Sequence, residues 1–368
     1  MNKLVVVNIC IVLFYIFILV NLSTAKRGLR DCGSCRYLGE TDHENEKCHK
    51  DKVKFRKLPQ ECSAYIYDGF IFDKNFEFVP KNSEEDFENV ESLINLKGDD
   101  GEFHDVYVFF KHEAKDHLDF IFDLGDNTVD AAQIEVFVSK YPVKGFIIAD
   151  FSDPFNFQFY NEFYTYFQCY VHDIKRYMPD LEIGFYLSAR NFTEPNKNES
   201  SNWFDFGKMN QFIDFYLIEF TTFNECVDQL LYGGITPIDS ADGNILTLNK
   251  FAEAFKNSTI DKEKVYFEFL INPMVKTAEQ SKFMHCEISY NEYCENRDSY
   301  KSIWCVDTQD VLYEKGKFAK QYSKGFVGRE IDLVDRDNKC NCDNKYITFH
   351  MMLRGYNNED PLTCDAYA

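Results

Sequence analysis

Residues 144–154 (KGFIIADFSDP) run from an apolar stretch into groups that can move protons. Phe146, Ile147 and Ile148 have the character of a buried β-strand, and Asp150, Phe151, Ser152, Asp153 and Pro154 follow at its end. A carboxyl group held there serves as a general acid when its surroundings keep it protonated near the working pH. Ser152 is far too weak an acid for that task. Two further acids stand near the ends of apolar runs: Glu219, followed by Thr221 and Thr222, and Asp332. Asp150, Asp153, Glu219 and Asp332 would meet if their strands ran parallel and shared one end. Such a set would suit a rebuilt acid pair, a cation or a basic peptide. In a chain with 61 acidic residues, scattered surface charge is the stronger reading.

The elements that would have to position them alternate. Strands are expected over 64–72, 105–110, 145–150, 182–189, 212–220, 265–271 and 325–334. Helices are expected over 129–141, 160–178, 246–255 and 311–322. In the second of these, Phe163, Phe167, Val171 and Ile174 share one face, and Pro179 ends it. The run 212–220 is almost continuously apolar, as a parallel strand covered on both faces should be. Repeated strand–helix units give an α/β fold, and their number fits a (β/α)8 barrel. A doubly wound open sheet is the alternative. No glycine-rich phosphate loop follows the first strand, and no GxSxG elbow is present. No internal repeat or linker divides the chain.

Residues 1–25 have the pattern of a signal peptide: Lys3, an apolar run from Leu4 to Val20 broken only by Asn8, then Ser23-Thr24-Ala25. An uncleaved anchor is the alternative, at the short edge of a membrane span. No later stretch is apolar enough to cross a bilayer, so residues 26–368 are expected as one secreted domain. Twelve cysteines follow the signal, an even number that suits disulfides in an exported chain. CxxC at Cys32–Cys35, with His43, Cys48 and His49 nearby, lacks the second pair that zinc requires, so no metal is expected. Sequons at Asn191, Asn198 and Asn257 mark candidate glycosylation sites, and the first two are expected on one exposed polar loop. A formal net charge of −21 argues against nucleic acid and anionic membranes.

Four segments together resemble the family-18 glycoside hydrolases, the chitinases and chitinase-like proteins. Residues 58–70 are similar to the family's second strand, whose Cys pairs with one on the first. Residues 145–154 resemble its catalytic strand, FDGIDIDWEYP. Two registers are open there. Aligning Gly145 places Ile147, Ala149 and Phe151 on the family's two Asp and its Glu. Aligning Pro154 places Ile148, Asp150 and Ser152 there, and is preferred because it keeps Asp, an aromatic and Pro together. Residues 214–223 resemble the sixth strand, with Glu219, Thr221 and Thr222 on the family's Met, Tyr and Asp. Residues 320–340 are similar to the last strand, with Asp332 on the Trp that floors the sugar site.

The resemblance implies disulfides Cys35–Cys62 and Cys294 with Cys340 or Cys342. It also implies a barrel with a reduced insertion between strands seven and eight. In either register the catalytic Glu is missing, as are the Tyr–Asp clamp and the Trp floor. The implied function is a secreted pseudoenzyme without cofactor. It would bind chitin, another N-acetylglucosamine glycan or a protein receptor. Phe155, Phe157, Phe159 and Tyr160 are candidate stacking rings. The alternatives are a hydrolase with rebuilt acids and a structural or storage glycoprotein.

Overall fold

The computed structural model describes residue 29 and residues 32–38, 53–81, 83–98, 101–113, 128–150, 161–193, 204–283 and 287–364. Residues 1–25, Phe151, Ser152, Asn198 and the run Phe155–Tyr160 lie outside the described residues.

Apolar runs become strands because a parallel sheet buries both faces. In chain order the strands are β1 (Gly33–Tyr37), β2 (Ala64–Phe72), β3 (Phe78–Pro80), β4 (Asp105–His112), β5 (Gly145–Ile148) and β6 (Glu182–Ser188). They continue as β7 (Phe215–Glu219), β8 (Val265–Leu270), β9 (Met274–Val275), β10 (Trp304–Cys305) and β11 (Gly325–Arg329). The parallel order is β1-β11-β8-β7-β6-β5-β4-β2, and β1 pairs with β2, so eight strands close a barrel. The (β/α)8 expectation holds and the open sheet is excluded. Strand β3 hangs antiparallel on β2, and β9 with β10 forms a small hairpin in the insertion between β8 and β11.

Side chains alternate across each strand. Ile66, Tyr107, Ile147, Leu217, Tyr266 and Val327 fill the lumen, while Tyr65, Val108, Phe146, Ile218 and Phe267 face the helical layer. The helix Asn161–Tyr177 buries Phe163, Phe167, Val171 and Ile174 in that layer, matching its sequence pattern. Strand β5 opens on Gly145 because a Cβ there would fall 2.3 Å from the carbonyl oxygen of Glu182. The last strand is shorter than expected. Glu330 takes a left-handed conformation (φ 65°), and Ile331–Leu333 form a 3-10 turn.

Cys35 bonds to Cys62, closing β1 onto the loop before β2. Cys294 bonds to Cys340, and Cys342 pairs instead with Cys364. A further bond, Cys226–Cys305, ties the loop after β7 to the hairpin across a sequence separation of 79. Loops of that length restrict the unfolded chain strongly. Replacing both Cys226 and Cys305 by Ser should cost about 2–4 kcal/mol in denaturant unfolding. A loss below about 0.5 kcal/mol would show that the hairpin docks without it.

Candidate functional site

A cavity of about 480 Å³ opens at the C-terminal ends of the strands, where barrel sites form. Its floor is an ion network with Arg36 of β1 at the centre. One terminal nitrogen of Arg36 donates to both carboxylate oxygens of Glu268 at 2.9 Å and to the Tyr186 hydroxyl at 3.2 Å. The other donates to Asp68. The guanidinium lies 3.9 Å from the centroid of the Phe109 ring. Tyr186 donates to Glu268 at 2.6 Å. Burial, then the Glu268 carboxylate, raises the Tyr186 pKa well above the phenol range, so Tyr186 stays a neutral donor. Burial works against an ionised Asp68, but Arg36 outweighs it and holds the carboxyl below its usual range. Arg329 of β11 closes the network, 3.9 Å from Glu268, 3.3 Å from the Thr221 hydroxyl and 3.2 Å from Glu330.

The sequence-derived residues separate. Glu219, Thr221 and Thr222 do line the cavity. Glu219, however, accepts from the Thr221 amide (2.6 Å) and hydroxyl (2.5 Å), and from the Thr222 amide (3.0 Å) and hydroxyl (2.6 Å). A carboxylate that accepts from four donors ties down a turn, with both oxygens already engaged. Asp332 lies in the 3-10 turn beyond β11 and does not line the cavity; it accepts from the Leu38 amide at 3.4 Å. Arg329 takes the mouth position of that strand instead.

Asp150 faces away from the lumen. Its oxygens accept from the His112 amide at 2.6 Å and meet the His112 ring at 2.9 Å. The other ring nitrogen lies 2.9 Å from Asp130, which also accepts from Tyr170 at 3.0 Å. Burial opposes a charge on His112, but Asp150 and Asp130 outweigh it and lift the pKa to about 10. The triad is therefore a buried imidazolium between two carboxylates.

No sequence-family model and no curated protein sequence matches this chain. Solved structures do. Catalytic domain 2 of the Ostrinia furnacalis Group II chitinase superposes with a TM-score of 0.67 at 12% identity, covering 90% of this chain and 98% of that one. YKL-39, solved in the presence of chitooligosaccharides, gives 0.64 at 13% identity, covering 88% and 99%. A GH18 chitinase from Cycas revoluta, in complex with (GlcNAc)4, gives 0.62 at 10% identity, with the same coverage. The fold is that of the family-18 chitinases.

Within the family-18 fold, the direction of Asp150 decides the register of β5. Ile147 and Ala149 pack in the lumen, and Ala149 lines the mouth. Ile148 and Asp150, inward positions in the preferred alignment, are therefore corrected to outward ones, and Ser152 lies outside the described residues. Asn191 is also corrected. Expected on an exposed loop, it is 4% exposed, sits in the short helix Arg190–Thr193 and lines the cavity. Asn257 is exposed at the end of the helix Leu248–Lys256.

Arg36, Tyr186, Glu268 and Arg329 escaped the sequence reading. A charged residue inside a short strand or an apolar run, as in GSCRY and VYFEFL, was the available signal. A second cavity of about 280 Å³ shares Thr221, Thr222 and Arg329 with the first and extends toward the β9–β10 hairpin. Among the described residues, no cluster of potential metal ligands occurs.

Proposed function

We propose that this chain is a secreted chitinase-like protein that binds a glycan at its barrel mouth and does not hydrolyse it. The observation that carries the reading is the lumen face of β5, where Ile147 and Ala149 stand in place of acids and Asp150 is turned outward onto His112. Family-18 chemistry as inferred from the resemblance needs a protonated carboxyl beside the glycosidic oxygen. The acids that do line the cavity, Asp68 and Glu219, are held by Arg36 and by the two threonines. The glycan part of the reading is supported by the fold and by the neighbours solved with chitooligosaccharides. Secretion is supported by four disulfides, with no membrane-crossing helix among the described residues.

Purified protein should release no chromophore from a chromogenic chito-oligosaccharide at acid, neutral or mildly alkaline pH. Turnover that disappears in Asp150→Asn would replace this reading with a rebuilt hydrolase.

A further inference from the structure

The fold treats its sequons differently. Asn191-Phe192-Thr193 and Asn257-Ser258-Thr259 lie within the described residues, and Asn198 does not. Each triplet presents an amide nitrogen with a hydroxyl two residues on, the pattern that accepts an N-linked glycan in an exported chain. The attached sugar is bulky and hydrated, so the folded protein must hold it in solvent.

Asn257 meets that condition. It caps the C-terminal end of the helix Leu248–Lys256 and is exposed, as is Thr259. Its Nδ2 donates to the Glu253 carbonyl at 3.2 Å. An amide nitrogen carries two protons, so replacing one by a sugar leaves the other for Glu253. The position is also fixed relative to the mouth. Asn210, in the turn before β7, donates from Nδ2 to the Thr259 carbonyl at 2.9 Å and accepts from the Asp261 amide at 3.1 Å. Strand β7 begins at Phe215 and β8 at Val265, so this loop sits at the N-terminal ends of the strands. The cavity opens at their C-terminal ends. A glycan on Asn257 therefore projects from the face opposite the mouth.

Asn191 does not meet it. Its residue is 4% exposed and lines the cavity. Phe192 beside it is buried and packs on Phe206 and Phe251, with ring centroids 5.6 Å and 5.5 Å apart. The Thr193 hydroxyl donates to the Arg190 carbonyl of the same turn at 3.0 Å. This sequon is wound into a helical turn against the core. A glycan on Asn191 would have to leave through the cavity and push its own side chain out of the wall.

We propose that Asn257 is an N-glycosylated residue of the mature protein and that Asn191, despite its sequon, is left bare. This rests on the secretion part of the reading above. In the transfer, Nδ2 of Asn257 bonds to the anomeric carbon of an oligosaccharide carried on a lipid diphosphate. The bond from that carbon to the phosphate oxygen breaks, the diphosphate leaves with the electron pair, and Nδ2 gives up one proton. Sequons are presented before the chain folds, so both are offered for transfer. What separates them is that Asn257 folds with its sugar in water, whereas Asn191 folds into the wall of the cavity.

The test is site mapping on the full chain expressed in a eukaryotic secretory host. The secreted protein is treated with an N-glycanase in heavy-oxygen water, which turns each formerly glycosylated Asn into a labelled Asp. Trypsin then cuts after Arg190, Lys197 and Lys256, so each sequon falls on its own peptide. Asn257 should carry the label in most molecules, and Asn191 should remain unlabelled Asn. In intact-mass measurements, Asn257→Gln should lose the mass of one glycan and Asn191→Gln should lose none. Asn257 is exposed, and an unchanged melting temperature confirms that its variant folds. Label on Asn191 of the secreted protein, or none on Asn257, overturns the inference and leaves secretion standing. Protein retained in the cell with residues 1–25 still attached overturns secretion, and the inference with it.

Discussion

Arg36→Met should destabilise the protein by about 3–5 kcal/mol, the scale of breaking a buried ion pair by removing one partner. The side chain of Arg36 is 3% exposed and that of Glu268 is fully buried, so water screens their charges little. Methionine keeps an unbranched apolar stem against Phe109, so the loss reports charge rather than an empty cavity. Without Arg36, Glu268 retains Tyr186 at 2.6 Å and the distant Arg329 at 3.9 Å, and Asp68 loses its bonded cation. Urea unfolding checks this through a lower midpoint at unchanged slope. Adding Glu268→Gln to Arg36→Met should restore part of the loss, because the second change removes the stranded charge. A single-variant loss under about 1 kcal/mol would mean that Arg329 moves in to replace Arg36.

This network also shows where sequence reasoning stops. Arg36 and Glu268 are 232 residues apart, and β1 is only five residues long. Nothing local to GSCRY says that its arginine will meet an acid from VYFEFL. Barrel closure brings them together, through the pairings of β1 and β8 with β11. Seven of the eight barrel strands were legible because each is a largely apolar run bounded by turns or helices, whereas GSCRY of β1 carries no such pattern. The long helix was legible because its apolar residues fall on one face. The register of β5 was not. Ile147 and Ile148 are both aliphatic and both buried, at 0% and 1% exposure, so a parallel strand covered on both faces carries no inside–outside alternation. The same ambiguity hid the split between Lys111 and His112. One lines the mouth, and its neighbour turns into the helical layer.

His112→Gln should be the second large effect, with a pH dependence that identifies its cause. The imidazole is 1% exposed between Asp150 and Asp130, carboxylates supplied by the end of β5 and by the helix Thr128–Lys140. Tyr170, from the helix Asn161–Tyr177, donates to Asp130 beside it, and Phe72 of β2 stacks on the ring at 4.9 Å. The folded pKa, about 10, is raised above the ordinary histidine value of 6.5. A raised histidine contributes stability that is complete below the unfolded pKa and is lost as pH rises through the folded one. The wild type should therefore lose stability steadily from pH 6.5 to about 10. The variant should be weaker by about 3–5 kcal/mol at the lower end and show a flatter profile across that window. Equal slopes in the two proteins would mean that His112 is neutral in the fold. The outcome bears on function as well. A carboxylate whose two oxygens hold a charged His112 is fixed with its back to the lumen, and Asp150 cannot then also deliver a proton to a sugar at the mouth. If His112→Gln loses the stability but gains no hydrolysis, Asp150 is a structural acid, and β5 ends at the lumen on Ala149.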